Sequence, residues 1–217
     1  MVIGCTVQAG LLLIVPSTMA AALPPRATLP CGPLIGANSR NAIVFRSIPY
    51  GNIASRWTPP QRAACWNGTL DATAHTTMCW QDHGRVIGPA SGVQSEQCLN
   101  LDVYLTAEYL DGSAPLRPVV VWLYGGSLVH GSAASYPGLG QLAALEEVLL
   151  VVPEYRLGAF GFLAHPALDA TDPRGVSGNY GVLDQQLALA WVRDNIRHLG
   201  GDPSRVSVLG QDRKSVV

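Results

Sequence analysis

The residues with the clearest chemical potential form a glycine turn. Residues 119–123 are a continuous apolar run, and Tyr124-Gly125-Gly126-Ser127 follows it directly. Consecutive glycines let a backbone turn sharply at the end of a strand. The N–H groups so presented suit stabilisation of the oxyanion that develops in acyl transfer. Taken alone, the pair is equally what an ordinary tight turn requires. A second segment bears on the same chemistry. Residues 200–203 read as a helix end and a turn, 206–209 as a short buried strand, and Gly210 as the first glycine of a strand-to-helix turn. A nucleophilic serine is presented by such a turn as Gly-x-Ser-x-Gly. Here Asp212 stands at the serine position, followed by Arg213, Lys214, Ser215, Val216 and Val217, and no glycine frame surrounds Ser215. His75, His83, His130, His165 and His198 all precede this turn. A histidine acts as a base only beside a placed partner, so each is expected to be structural or solvated, with His130 nearest the glycine turn. No metal-ligand spacing occurs.

Strands and a helix must position these turns. Residues 42–49 read as a strand ended by Pro49. Over 99–105, Leu99, Leu101, Val103 and Leu105 alternate with Asn100, Asp102 and Tyr104, the pattern of a half-buried strand. The runs 119–123, 148–152 and 206–209 are continuously apolar and predict strands buried on both faces of a parallel sheet. Between the last two, Leu183, Leu187, Trp191, Val192, Ile196 and Leu199 recur at spacings of three and four, predicting a helix over 182–199. Gly200-Gly201 end it and Pro203 prevents its continuation. Strand, helix, strand is a βαβ unit, so the sheet is at least partly parallel and the fold class is α/β.

At 217 residues, 48% hydrophobic and 13% charged with a net charge of −1, the composition is that of a globular chain with one sizeable core. No basic stripe is present, so nucleic acid is not an expected partner. Residues 10–15 form an apolar run before Pro16, with Thr18, Ala20, Ala21 and Ala22 following. This is the layout of a signal peptide cleaved after Ala20 or Ala22, although its start lacks Lys or Arg. The run falls far short of the roughly 20 residues that span a bilayer, so no membrane span is expected. Cys5 would leave with the signal peptide, and the remaining Cys31, Cys65, Cys79 and Cys98 are an even set suited to an oxidising compartment. Asn67-Gly68-Thr69 is an N-glycosylation sequon. The expected organisation is a signal peptide over 1–22, a domain over 23–211 and a short tail over 212–217.

Several longer segments are similar to one known family. Ser95-Glu96-Gln97-Cys98-Leu99-Asn100-Leu101-Asp102-Val103-Tyr104 resembles the Glu-Asp-Cys-Leu-x-Leu signature of the type B carboxylesterases, which include the cholinesterases. Residues 119–132, Tyr155-Arg156-Leu157-Gly158-Ala159-Phe160-Gly161-Phe162-Leu163, Gly178-Asn179-Tyr180-Gly181-Val182-Leu183-Asp184-Gln185 and 191–201 continue the match in family order over roughly residues 32–211. The resemblance implies an α/β-hydrolase fold, present here as the N-terminal part of a mostly parallel central sheet and cut off at the nucleophile elbow. It implies a serine esterase acting on a small-molecule ester without a cofactor; the signal-peptide layout, even cysteine set and sequon make the expected location extracellular. Gly126 and Ser127 fall on two of the family's oxyanion-hole positions, both usually glycine, so the Ser127 side chain would intrude where the substrate carbonyl approaches. Cys79 and Cys98 match the pair that closes the loop beside the active-site gorge, a staple worth about 3 kcal/mol by loop-closure entropy; Cys31 and Cys65 are left to pair. Arg56 with Glu96, and Arg156 with Asp184, resemble the family's structural ion pairs. Asn67 falls where some cholinesterases carry a sequon.

The family's triad is Ser, acid and His in that order, and these 217 residues are expected not to catalyse by themselves. The alternative is a non-catalytic, cholinesterase-like adhesion or binding module. Strand 206–209 is expected to expose an apolar edge that promotes aggregation. Residues 212–217 are expected to be foreign to the family, with sequencing-adapter read-through as their source.

Overall fold

Six strands build the central sheet of the computed structural model, which describes residues 23–211 apart from 40, 82–92, 111, 113 and 171. In chain order they are β1 (Ala37–Ser39), β2 (Ala42–Pro49), β3 (Asn100–Leu105), β4 (Arg117–Leu123), β5 (Leu149–Pro153) and β6 (Gly201–Gly210). Their spatial order is β6-β4-β5-β3-β2-β1. Within this sheet, parallel pairing is confined to β4 with β5 and β4 with β6, while β1, β2, β3 and β5 pair antiparallel in succession. Residues 1–22, read above as a signal peptide and including Cys5, lie outside the described residues, as do His83 and residues 212–217.

The apolar runs act as their composition dictates. Every residue of β5 is buried, and Val119 and Val121 of β4 are fully enclosed. The predicted helix is α3 (Tyr180–Asn195), continued by a tighter 3-10 turn over Ile196–Leu199. Trp191, Val192, Ile196 and Leu199 enter the core from it. The chain leaves through Gly200, whose φ of +84° suits glycine, and starts β6 at Gly201. A Cβ at Gly201 would stand 2.6 Å from Ile196 and 2.9 Å from Val119, so the glycine lets helix end and strand start pack together.

Two strands depart from expectation. The alternation in β3 predicts one wet face, yet all its residues are buried. The short helix α1 (Leu139–Leu145) covers the Tyr104 side, with Gly140 against the Tyr104 ring. The polar members are satisfied inside: the Asn100 amide donates to the Thr77 and Cys98 carbonyls, and Asp102 accepts from the Ser47 N–H and the Tyr104 hydroxyl. Residues 206–209, expected to be buried on both faces, are the second exception. Val208 and Leu209 are 48% and 51% exposed, because among the described residues β6 has a neighbour, β4, on one side only.

Candidate active site

The glycine turn lies at the C-terminal end of β4. The Gly125 N–H donates to the Tyr136 hydroxyl at 3.2 Å. The Gly126 carbonyl accepts from the N–H groups of Val129 and His130 at 3.1 and 3.2 Å, folding 126–130 into a closed turn. Gly126 has φ +137°, and an added Cβ would meet the His130 carbonyl oxygen at 1.8 Å, so no other residue fits. Ser127 and Leu128 follow at φ +56° and +61°. Successive left-handed non-glycine residues cost on the order of 1 kcal/mol each and persist where surrounding contacts force them. Among the described residues, neither the Gly126 nor the Ser127 N–H donates a hydrogen bond.

The Leu128 carbonyl accepts from the Gly158 N–H at 2.7 Å, at the start of α2 (Gly158–Phe162). At Gly131, the Gln81 amide donates to the carbonyl at 2.9 Å and its oxygen accepts the N–H at 2.8 Å. Gln81 also donates to the Cys79 carbonyl, so the Cys79–Cys98 disulfide anchors the segment that grips the turn. Below the turn is the buried Glu154. Its Oε1 accepts from the Ser132 hydroxyl and the Ala133 N–H, both at 2.8 Å, and its Oε2 from the Tyr124 hydroxyl at 2.9 Å. Burial pushes the Glu154 carboxyl up to about 7, against the pull of those donors. The Tyr124 ring stacks on Tyr155, with centroids 4.5 Å apart.

The two segments singled out for chemistry converge. Leu123 pairs with Gly210 across β4 and β6, and the Gln211 N–H donates to the Leu123 carbonyl at 3.2 Å. The Gln211 side chain accepts from the Tyr136 hydroxyl at 2.6 Å, and a Cβ at Gly125 would touch it at 2.7 Å. Chain leaving β6 therefore emerges beside the glycine turn.

The other site residues fall away from this turn or support it. Arg156 and Asp184 form a buried bidentate pair, Nη2 to Oδ1 at 2.7 Å and Nε to Oδ2 at 2.8 Å, joining α3 to the segment after β5. Burial raises the Asp184 carboxyl while Arg156 pulls it down. Arg56 and Glu96 pair at the surface, with Arg56 lying over the Phe160 ring. The structure also joins Cys31 to Cys65, with Cα atoms 4.8 Å apart. Asn67 is exposed in a bend. His130 is buried against Gly126, and among the described residues its Nδ1 has no hydrogen-bond partner. His75 lies 3.4 Å from Asp102, where burial drives both toward their uncharged forms, and His165 caps a short helix. Among the described residues no acidic, His or Cys cluster could hold a metal ion, and no helix is long and apolar enough to cross a membrane.

Sequence reasoning missed Glu154 and Gln81. Glu154 carried one signal: it is the single charged residue in the otherwise apolar stretch 148–155. Gln81 carried none, because its partner Gly131 is 50 positions away.

Comparison with known proteins agrees with this geometry. The model of the carboxylesterase family matches residues 24–213. A human cocaine esterase is 40% identical over 185 residues, covering 81% of this chain and 31% of the relative. A fumonisin B1 esterase from Sphingopyxis macrogoltabida is 40% identical over 169 residues, covering 78% of this chain and 30% of the relative. A mouse acylcarnitine hydrolase is 36% identical over 185 residues, covering 81% and 31%. The chain thus spans about a third of the length of the curated relatives it matches. With its α/β-hydrolase architecture and a glycine turn at the end of the central strand, the chain belongs to the carboxylesterase family.

Proposed function

We propose that the full-length protein hydrolyses small-molecule carboxylic esters through a serine nucleophile. The reading rests on one observation: the end of β6 at Gln211 packs against Gly125, in the turn that carries the Gly126 and Ser127 N–H groups. In this mechanism the full-length protein has a serine in place of Asp212; it attacks the ester carbonyl while a distal histidine takes the hydroxyl proton and returns it to the leaving alcohol. Water, deprotonated by the same histidine, then cleaves the acyl-enzyme to release the acid and restore the serine. The Gly126 and Ser127 N–H groups hold the oxyanion, and no cofactor takes part. The 217 residues alone do not catalyse. The relatives' names span cocaine, fumonisin B1 and acylcarnitine, so the class carried over is the carboxylic ester and no particular one. The chain is proposed to be exported with Cys31–Cys65 and Cys79–Cys98 oxidised and Asn67 glycosylated, in keeping with both disulfides and the exposed sequon.

Ser127 favours a second reading, a non-catalytic binding module. It places a side chain, in a left-handed conformation, where a glycine would be unstrained and leave room for substrate. The test is the genomic sequence after the Gln211 codon together with assay of the encoded protein on short-chain p-nitrophenyl esters. A serine there, and hydrolysis lost on its replacement by alanine, supports the esterase. Another residue there, with no hydrolysis, overturns it in favour of the binding module.

A further inference from the structure

We propose that Glu154 is a positioning residue for the oxyanion turn: a single buried carboxylate ties together the two ends of the 124–133 loop and thereby holds the Gly126 and Ser127 N–H groups in one orientation. The purpose assigned to the loop rests on the esterase reading; the clamp rests on geometry alone.

The loop needs such a clamp. Gly126, Ser127, Leu128 and Gly131 all have positive φ, and two of them are not glycine. A strained segment of this kind relaxes unless its ends are fixed. Contacts at several points restrain it: Gly158 on the Leu128 carbonyl, Gln81 on Gly131, Tyr136 on the Gly125 N–H, the Tyr155 hydroxyl on the Tyr124 carbonyl, and Glu154. The others each hold one point. Glu154 holds the entry through the Tyr124 hydroxyl and the exit through the Ser132 hydroxyl and the Ala133 N–H. Glu154 is itself fixed, since its own carbonyl accepts from the Tyr50 hydroxyl at 2.5 Å and its strand neighbour Pro153 pairs with Leu101.

The chemistry explains a carboxylate here. Three donors converge on it, two on Oε1 and one on Oε2. An aliphatic side chain would leave those donors buried and unpaired, which costs more than the hydrogen bonds themselves. Glutamine keeps the shape: its oxygen accepts from Ser132 and Ala133, and its NH2 donates to a Tyr124 hydroxyl that can also accept. The clamp therefore predicts that Gln substitutes for Glu and Leu does not.

The test is amide hydrogen exchange on the full chain in wild type, Glu154→Gln and Glu154→Leu. In the Leu variant, peptides covering 125–133 are expected to exchange about tenfold faster, while those covering β2, β3 and β5 change far less, as local opening requires. The Gln variant is expected to restore most of the protection. Unchanged exchange in the Leu variant, a rise shared equally by β2, β3 and β5, or a Gln variant no better than Leu would each overturn the clamp. Should the Leu variant not fold, the double variant Tyr124→Phe with Ser132→Ala removes two donors without burying an apolar group and is expected to give the same loop-specific rise; its absence overturns the proposal. Exchange needs no turnover, so a chain that hydrolyses nothing can still show the clamp, and an active esterase with an indifferent loop refutes the clamp alone.

Discussion

Two arginine–carboxylate pairs of the same chemistry sit in opposite settings. Arg156–Asp184 is enclosed, with side chains 4% and 0% exposed, whereas Arg56–Glu96 is open, at 55% and 30%. Both are close and both offer a guanidinium fork to a carboxylate. The enclosed pair also takes the Arg156 backbone N–H into Asp184 and gives a guanidinium hydrogen to the Thr58 carbonyl. The contrast teaches that distance does not set the value of an ion pair. Water competes for the outer pair; an Arg156 left alone inside would keep only the Thr58 carbonyl and the Tyr180 ring beside it, with no counter-charge.

The contrast can be broken most forcefully at Asp184. Asp184→Ala strands the Arg156 charge and is expected to cost about 3–5 kcal/mol of stability in urea unfolding. A loss below about 1 kcal/mol would put the inner pair on a level with surface pairs. The pH profile sharpens the contrast further. Burial raises Glu154 and Asp102 to about 7, so between the ordinary carboxylate range and pH 7 the folded chain holds protons that the unfolded chain has released. Stability is therefore expected to fall as pH rises from about 5 to 7, with part of that slope removed in Glu154→Gln. His75, lowered to about 4 by burial and then by Arg46, offsets part of it, because below about 6.5 the unfolded chain holds a proton that the folded chain has lost. Surface Asp194, held at about 2 mainly by the Arg193 hydrogen bond and then by Arg62, contributes the opposite slope, losing stability as pH falls below its ordinary range. Thermal melts across pH 2–8 check both limbs, and a profile rising through pH 5–7 would contradict the buried assignment. The smallest effect is at the rim: Glu96→Gln is expected to leave the melting temperature unchanged within error, and a clear loss would mean that the outer pair does more than position its loops.

Much of this frame was legible in the chain. The runs at 42–49, 119–123 and 148–152 and the helical spacing of Leu183, Leu187 and Trp191 rest on local periodicity, and they became β2, β4, β5 and α3. What escaped depends on partners distant in sequence. Asn100, Asp102 and Tyr104 read as a wet face because nothing in their own segment announces that α1 will cover them. Val208 and Leu209 read as core because composition cannot say on which side a strand has neighbours. At the site, the glycine turn was visible as spacing, but Gln81 and Glu154 act across 50 and 30 residues, to Gly131 and Tyr124, and no short pattern encodes such pairings.

The pairing of Leu123 with Gly210 and Trp122 with Leu209 sets more than a sheet edge. Side chains alternate faces along a strand, so a slip of one residue between β4 and β6 would turn whatever follows Gln211 by half a revolution. The hydrogen-bond ladder thus works as a vernier. Deleting or inserting one residue among 202–205, the stretch of β6 where the ladder is interrupted between the Arg117–Gly201 and Val119–Val206 pairs and well away from any reacting atom, would shift that register and point the chain away from the glycine turn.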